Sequence, residues 1–322
     1  MISKHGKIGR TVSMNRLETK IGKLKMSVPT MTSAGTSGCG NEILEIGKLN
    51  IDFLGAFVTK SITLNKMDGN PHVRIVEVPG GILNSIGLQN KGVKHFIEND
   101  LPNLQAFNIP VIINTSAESI EDFCILHHIL MLHENTFDAL EINLSCPNVK
   151  WGLLPPASVK RYIWVVRNMF KDKTIIAKLS PNVTDIISYA TAAIEGGADA
   201  LSMINTVKGM AIDIDTQRPI LGNVCGGLSG PCIKSIGIHK VYECFKNIPE
   251  CNNKKIPIIG IGGIMNYKDV LEYILAGASA VGIGTGFIIN PLIFEEINDK
   301  LNKYLIKEDK KITDLIGAVR RS

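Results

Sequence analysis

Polar side chains recur at one kind of place in this sequence, directly after a short apolar run. Lys60-Ser61 closes the run at 53–60, Asn114 the run at 110–115, and Asn143 the run at 139–146. Lys178, with Ser180 and Asn182 beyond it, closes 174–180, and Asn205-Thr206 closes 200–206. A lysine inside an apolar strand costs several kcal/mol unless a counter-charge or polar ligand awaits it. Either lysine alone could be a salt-bridged or surface residue. Two lysines and three asparagines at equivalent ends of five runs point instead to a polar ligand rich in acceptor atoms. Cys146 follows the 139–146 run between Ser145 and Pro147. A buried inert thiol is the ordinary reading of a cysteine, and it suits Cys124 or Cys244 better. At a strand end a cysteine could instead remove a proton from a substrate carbon while a flavin takes hydride from the neighbouring carbon.

Glycines supply a second chemical signal. Gly262-Gly263-Ile264 and Gly284-Thr285-Gly286 follow the last two apolar runs. There, backbone N–H groups could approach a phosphate, and a helix opening after Asn266 could add its dipole. A mononucleotide such as FMN would suit that position. The seven cysteines form no C-x-x-C pair and the seven histidines no H-E-x-x-H. No metal or iron–sulfur centre is therefore expected on this chain.

These side chains need a scaffold that brings strand ends together. Eight β-rich runs (28–35, 53–60, 110–115, 139–146, 174–180, 200–206, 256–261 and 280–284) are nearly continuous in apolar residues, as strands buried on both faces should be. Helical patterns lie between several of them. One spans 184–194 with Thr184 or Asp185 as N-cap and Gly196-Gly197 at its end; another spans 266–276 behind Asn266. The alternation predicts an α/β fold, a closed parallel (β/α)8 TIM barrel, in which sites form at the strand ends. An open doubly wound sheet is the alternative, but no G-x-G-x-x-G follows the first strand. The 61–109 segment, with Pro71, Pro79, Gly80 and Gly81, predicts an elaborated loop over the mouth.

With 322 residues, 45% of them hydrophobic, the chain can bury a large core as a single domain. Residues 1–17 carry Lys4, Lys7, Arg10 and Arg16 without an acidic residue, and read as a basic, disordered extension or an organelle-targeting peptide. The barrel is then 18–322. A net charge of +5, spread along the chain, does not indicate nucleic acid. No uncharged apolar stretch reaches 18 residues, so no membrane span is expected. The odd, unpaired cysteine count fits a reducing, cytoplasmic setting.

The strings N-L-S-C-P-N-V-K (143–150), K-L-S-P-N-V-T (178–184), M-I-N-T (203–206), G-G-L-S-G-P (226–231), N-S-I-G-L-Q-N (84–90) and G-I-G-G-I (260–264) resemble the catalytic subunit of class 1 dihydroorotate dehydrogenases, in unbroken order over about 18–290. The resemblance implies an FMN-containing barrel, one FMN per chain, that oxidises dihydroorotate to orotate in pyrimidine synthesis. It implies Cys146 as the base that deprotonates C5 while hydride leaves C6. Lys60, Asn84, Ser85, Ile86, Gly87, Leu88, Asn143, Asn205 and Thr206 match substrate-holding positions. Thr36, Lys60, Ser61, Asn114, Asn143, Lys178, Ile204, Gly230, Gly262, Gly263, Gly284 and Thr285 match FMN contacts. Each asparagine can offer a donor and an acceptor to ring N–H and C=O groups, Lys60 can offset a carboxylate, and Lys178 can stabilise anionic reduced flavin.

I-G-L-Q-N and C-P-N-V-K are similar to the 1B form, a homodimer core whose partner subunit carries FAD and a [2Fe–2S] cluster and passes electrons to NAD. The fumarate-linked 1A form is the alternative within the family. Beside it stand a dihydropyrimidine dehydrogenase-like domain, a non-redox phosphate-binding barrel, and a catalytically dead flavoprotein subunit. The last is suggested by the atypical loop Trp151-Gly152-Leu153-Leu154-Pro155-Pro156. The turn at 32–40 is also atypical, and no serine base or N-terminal membrane helix marks the class 2 form.

Overall fold

Residues in a strand point alternately to its two faces, so a strand in a closed barrel sends one set inward and the other toward the helices. The computed structural model describes residues 16–42, 50–144 and 153–320. Its barrel strands are β1 (Thr30–Thr32), β2 (Phe57–Val58), β3 (Val111–Thr115), β4 (Ala139–Asn143), β5 (Thr174–Leu179), β6 (Ala200–Met203), β7 (Ile258–Ile261) and β8 (Ala278–Ile283). Each lies within or overlaps one of the eight runs read from the sequence. Successive strands pair in parallel from β2 to β8, and β8 pairs with β1. The ring closes between β1 and the residues before β2, through the parallel bridge Met31–Ala56 and a 2.8 Å bond from Gly55 N–H to the Thr30 carbonyl. That closure excludes the open-sheet alternative.

The inward set is apolar at the bottom of the barrel. Met31, Val58, Ile112, Ala139, Ile176, Ala200, Ile259 and Ala280 form one buried cluster. Ile21, Leu24 and Met26 join it from an antiparallel hairpin, Thr19–Ile21 with Leu24–Met26, which plugs the floor. The outward set, including Ile113, Leu140, Ile142, Ile175, Ala177 and Leu201, packs in a larger cluster with the helices. Leu17 is buried in that cluster, and Arg16 pairs with Asp309 at 2.8 Å.

Local chemistry sets the helix boundaries. Ser119 accepts from Asp122 N–H to start Ile120–Met131, and Asp185 accepts from Ile187 and Ser188 N–H to start Ile186–Glu195. Asn266 and Asp269 form a reciprocal capping box on Tyr267–Ala276. The 61–109 segment is indeed no plain helix. It carries the hairpin Ile75–Val78 with Gly81–Asn84, and Gly81–Asn84 joins Cys225–Ser229 and Val207–Met210 in a four-stranded antiparallel sheet. Among the described residues no helix is long and apolar enough to cross a membrane.

Candidate functional site

One layer above the apolar floor, the inward positions turn polar. Two residues beyond Ile112 stands Asn114, beyond Ala139 stands Glu141, beyond Ile176 stands Lys178, and beyond Ala200 stands Ser202. All four are buried. Glu141 is the counter-charge that Lys178 requires, with Nζ 3.5 Å from Oε1. Ser202 Oγ donates to Glu141 Oε2 at 2.7 Å, and Asn114 Nδ2 donates to Oε1 at 2.6 Å. Paired and hydrogen-bonded in this way, the buried charges meet the condition for being tolerated.

Above this layer opens a cavity of about 280 Å³. Of the substrate positions read from sequence, Lys60, Asn84, Ile86, Gly87, Leu88, Asn143, Asn205 and Thr206 line it. Of the cofactor positions, Thr36, Ser61, Lys178, Ile204, Gly230, Gly262, Gly263, Gly284 and Thr285 line it, as do the shared Lys60 and Asn143. Two positions do not. Asn114 lies one layer down, reaching the mouth through Ser61, whose Oγ donates to Asn114 Oδ1 at 2.5 Å. Ser85 is fully buried behind the loop, its N–H bonded to the Arg74 carbonyl and its Oγ accepting from Asn70 Nδ2. Cys146 lies outside the described residues, as do Ser145 and Trp151-Gly152 of the atypical loop.

The four-stranded sheet forms one wall. Gly226 and Gly227 let it lie flush: a Cβ on Gly226 would sit 2.5 Å from the Asn84 carbonyl, and one on Gly227 would sit 2.0 Å from Thr206 Oγ1. Asn84 Nδ2 in turn donates to the Gly227 carbonyl at 3.2 Å. Thr206 Oγ1 is buried without a hydrogen-bond partner among the described residues, although a buried hydroxyl ordinarily has one. It is a vacant hydrogen-bonding group at the cavity wall, suited to a polar ligand atom.

Across the mouth, Gly230, Gly262 and Gly263 all have positive φ (104°, 132° and 67°). Tyr273 steadies this side by donating its hydroxyl to the Gly262 carbonyl at 2.8 Å, and burial pushes its phenol well above the ordinary range. Thr285 Oγ1 donates to Ser229 Oγ at 2.9 Å, so two hydroxyls and the glycine backbone face the same space. Such a cradle fits a phosphate. The helix after Asn266 opens beside this cradle with its first turn capped from within. Asp269 Oδ2 accepts from Met265 N–H at 2.8 Å and Asn266 N–H at 3.0 Å, so these two donors are taken by the cap itself. Lys234 is engaged as well, at 2.8 Å from Asp269 and 2.9 Å from Glu272.

Cys39, near the mouth, is no competing nucleophile. Burial, helped by Asp100 and Glu42 and opposed by Lys60, pushes its thiol up to about 12. No group of three or more metal-ligating side chains exists among the described residues. Sequence reasoning missed Glu141, Ser202 and Ser229. For Glu141 and Ser202 the signal was present, since both stand two residues beyond an inward alanine.

Fold and site together define a parallel (β/α)8 barrel whose mouth combines a glycine cradle with a lysine and a ring of amides. The dihydroorotate dehydrogenase family profile matches residues 16–305, and the chain belongs to that family. It is 45% identical over 307 residues to the "dihydroorotate dehydrogenase B (NAD(+)), catalytic subunit" of Caldicellulosiruptor bescii, covering 94% of this chain and 99% of that one. A protein of the same description from Bacteroides fragilis is 43% identical over 314 residues, covering 95% and 99%. A crystal structure of the dihydroorotate dehydrogenase of Eimeria tenella in complex with ferulenol superposes with a TM-score of 0.78. It covers 96% of this chain and 90% of that chain; at 22% identity the likeness speaks for the fold.

Proposed function

We propose that this chain is the FMN-bearing catalytic subunit of an NAD-linked dihydroorotate dehydrogenase, oxidising (S)-dihydroorotate to orotate in pyrimidine synthesis. The observation that carries the reading is the buried Lys178–Glu141 pair beneath a ring of asparagines, facing a glycine cradle across one cavity. FMN, when bound, supplies the hydride acceptor. Gly230, Gly262, Gly263, Gly284 and Thr285 would receive its phosphate end, and Lys178 with Ser61 its polar ring edge. Lys178 would supply a cation to offset the negative charge that reduction adds to the bound flavin.

Asn84, Asn143 and Asn205 offer paired donors and acceptors to a planar diamide, and Thr206 Oγ1 bonds to none of the described residues and can meet a ligand atom. Lys60 offsets the substrate carboxylate. Cys146, by its place in N-L-S-C-P-N, takes the C5 proton. Held in place by the amides, the substrate would present C5 to the thiolate and the adjacent C6 to the bound flavin, so that the proton and the hydride leave neighbouring carbons and a C5=C6 double bond is left. Electrons then pass to NAD through a partner subunit carrying FAD and a [2Fe–2S] cluster, docked on a homodimeric core in the cytoplasm.

Anaerobic mixing of the purified, FMN-loaded chain with dihydroorotate should bleach the flavin absorbance. NAD should not reoxidise it until the cognate partner subunit is added. A chain that holds no FMN would favour a non-redox phosphate-binding barrel. Rapid reoxidation by fumarate alone would favour the 1A form.

A further inference from the structure

An asparagine's amide nitrogen and oxygen are nearly alike in shape, so a row of asparagines and serines can be threaded by hydrogen bonds in either sense. Which sense holds decides whether a ligand meets donors or acceptors. We propose that Glu141 is a positioning residue that sets this sense for the amides facing the substrate, a proposal that rests on reading the mouth as the dihydroorotate site.

A carboxylate only accepts. Glu141 is 2% exposed and holds three donors: Asn114 Nδ2 at 2.6 Å, Ser202 Oγ at 2.7 Å and Lys178 Nζ at 3.5 Å. Asn114 must therefore turn its nitrogen down to Glu141 and its oxygen up. Ser61 Oγ donates its one proton to that oxygen at 2.5 Å. The Ser61 oxygen is thereby left to accept, and Asn143 Nδ2 donates to it at 3.3 Å. Asn143 then presents Oδ1 to Asn205 Nδ2 at 3.3 Å, and Asn205 Oδ1 accepts from Thr206 N–H at 2.8 Å. Two groups of fixed role, the Glu141 carboxylate below and the Thr206 N–H above, thus impose the same sense on the four side chains between them, two of which, Asn143 and Asn205, line the substrate side. Glu141 itself does not line the cavity.

The test measures orotate binding to the FMN-loaded protein through the change in flavin absorbance. Glu141→Gln keeps the shape but introduces a group that can also donate, so Asn114 and Ser61 can turn over and set the Ser61 proton against Asn143 Nδ2, which Asn205 and the Thr206 N–H still hold in place. Orotate affinity should fall about tenfold, the worth of one mis-set hydrogen bond. Asn114→Leu cuts the first link while leaving Glu141 and Lys178 in place, and should give a similar loss even if the Gln variant fails to fold. In a Ser61→Ala background, where the chain is already cut, Glu141→Gln should add less than twofold.

Orotate affinity within twofold of wild type in either single variant would overturn the proposal. So would a further tenfold loss in the Ser61→Ala background, because the effect would then travel through space from the altered charge. A wild-type chain that binds neither FMN nor orotate would withdraw the substrate reading itself, and the proposal with it. A wild type that binds both, with a silent Glu141→Gln, would withdraw the proposal alone.

Discussion

His127 makes the stability of the barrel wall pH-dependent. It is wholly buried on the helix Ile120–Met131, its ring 4.0 Å from that of Phe123. One ring nitrogen lies 2.8 Å from the Phe123 carbonyl and the other 3.1 Å from Thr115 Oγ1, next to Asn114 on β3. Burial lowers its pKa from 6.5 to about 4, and the bond to the Phe123 carbonyl opposes the shift only partly. The unfolded chain therefore takes up a proton at a higher pH than the folded one. Stability from this residue is complete above pH 6.5 and is lost as pH falls toward 4. Linkage over that interval gives a loss of about 2 kcal/mol between pH 7 and pH 5, approaching about 3 kcal/mol below pH 4. The assay is urea unfolding of the cofactor-free protein at pH 7 and pH 5, for wild type and His127→Gln. Ligand-free protein is used because binding would shift the midpoint by mass action. The variant should start less stable but lose about 2 kcal/mol less between the two pH values. Equal losses in the two proteins would refute the assignment.

Cys146→Ala should retain FMN while flavin reduction by dihydroorotate slows by roughly two to four orders of magnitude, the usual weight of a general base, in anaerobic stopped flow. Near-normal reduction would remove the thiol from the mechanism. Gly227→Ala, whose Cβ would meet Thr206 Oγ1 at 2.0 Å, should cost about 1–3 kcal/mol in unfolding and weaken orotate binding with FMN retained. Lys60→Ala should raise the orotate concentration needed for half-saturation by about tenfold or more without releasing FMN, as loss of a charged hydrogen bond would; unchanged titration would make Lys60 structural.

The barrel was legible because its strands are buried on both faces, which leaves runs such as T-I-I-A-K-L with a single polar interruption. That interruption, Lys178, marked the cavity, as did Asn143 and Asn205 at their strand ends. Glu141 was harder to see. In A-L-E-I-N it reads as one acidic residue in a short strand, and only the inward phase shared by Ala139, Glu141 and Asn143 reveals where it points. The wall over the mouth was less legible still. Its strands Gly81–Asn84 and Cys225–Ser229 pair across more than a hundred residues, and their glycine content carries no strand signal of its own.

The hairpin that plugs the floor has a kinetic consequence. Ile21, Leu24 and Met26 seal the lower end of the barrel with apolar side chains, so traffic through the barrel axis is closed. With the floor closed, ligands reach the cavity from the mouth side, and a soluble reductant and a soluble oxidant that meet the same ring there share that side. A reductant and a soluble oxidant cannot occupy one doorway together, and so they must take turns, each departing before the other arrives. Electrons escape this queue only if they leave sideways, from a cofactor edge into a docked neighbour, while the spent molecule still sits above. For a small-molecule oxidant the architecture dictates alternation, and for a docked protein it permits a continuous current.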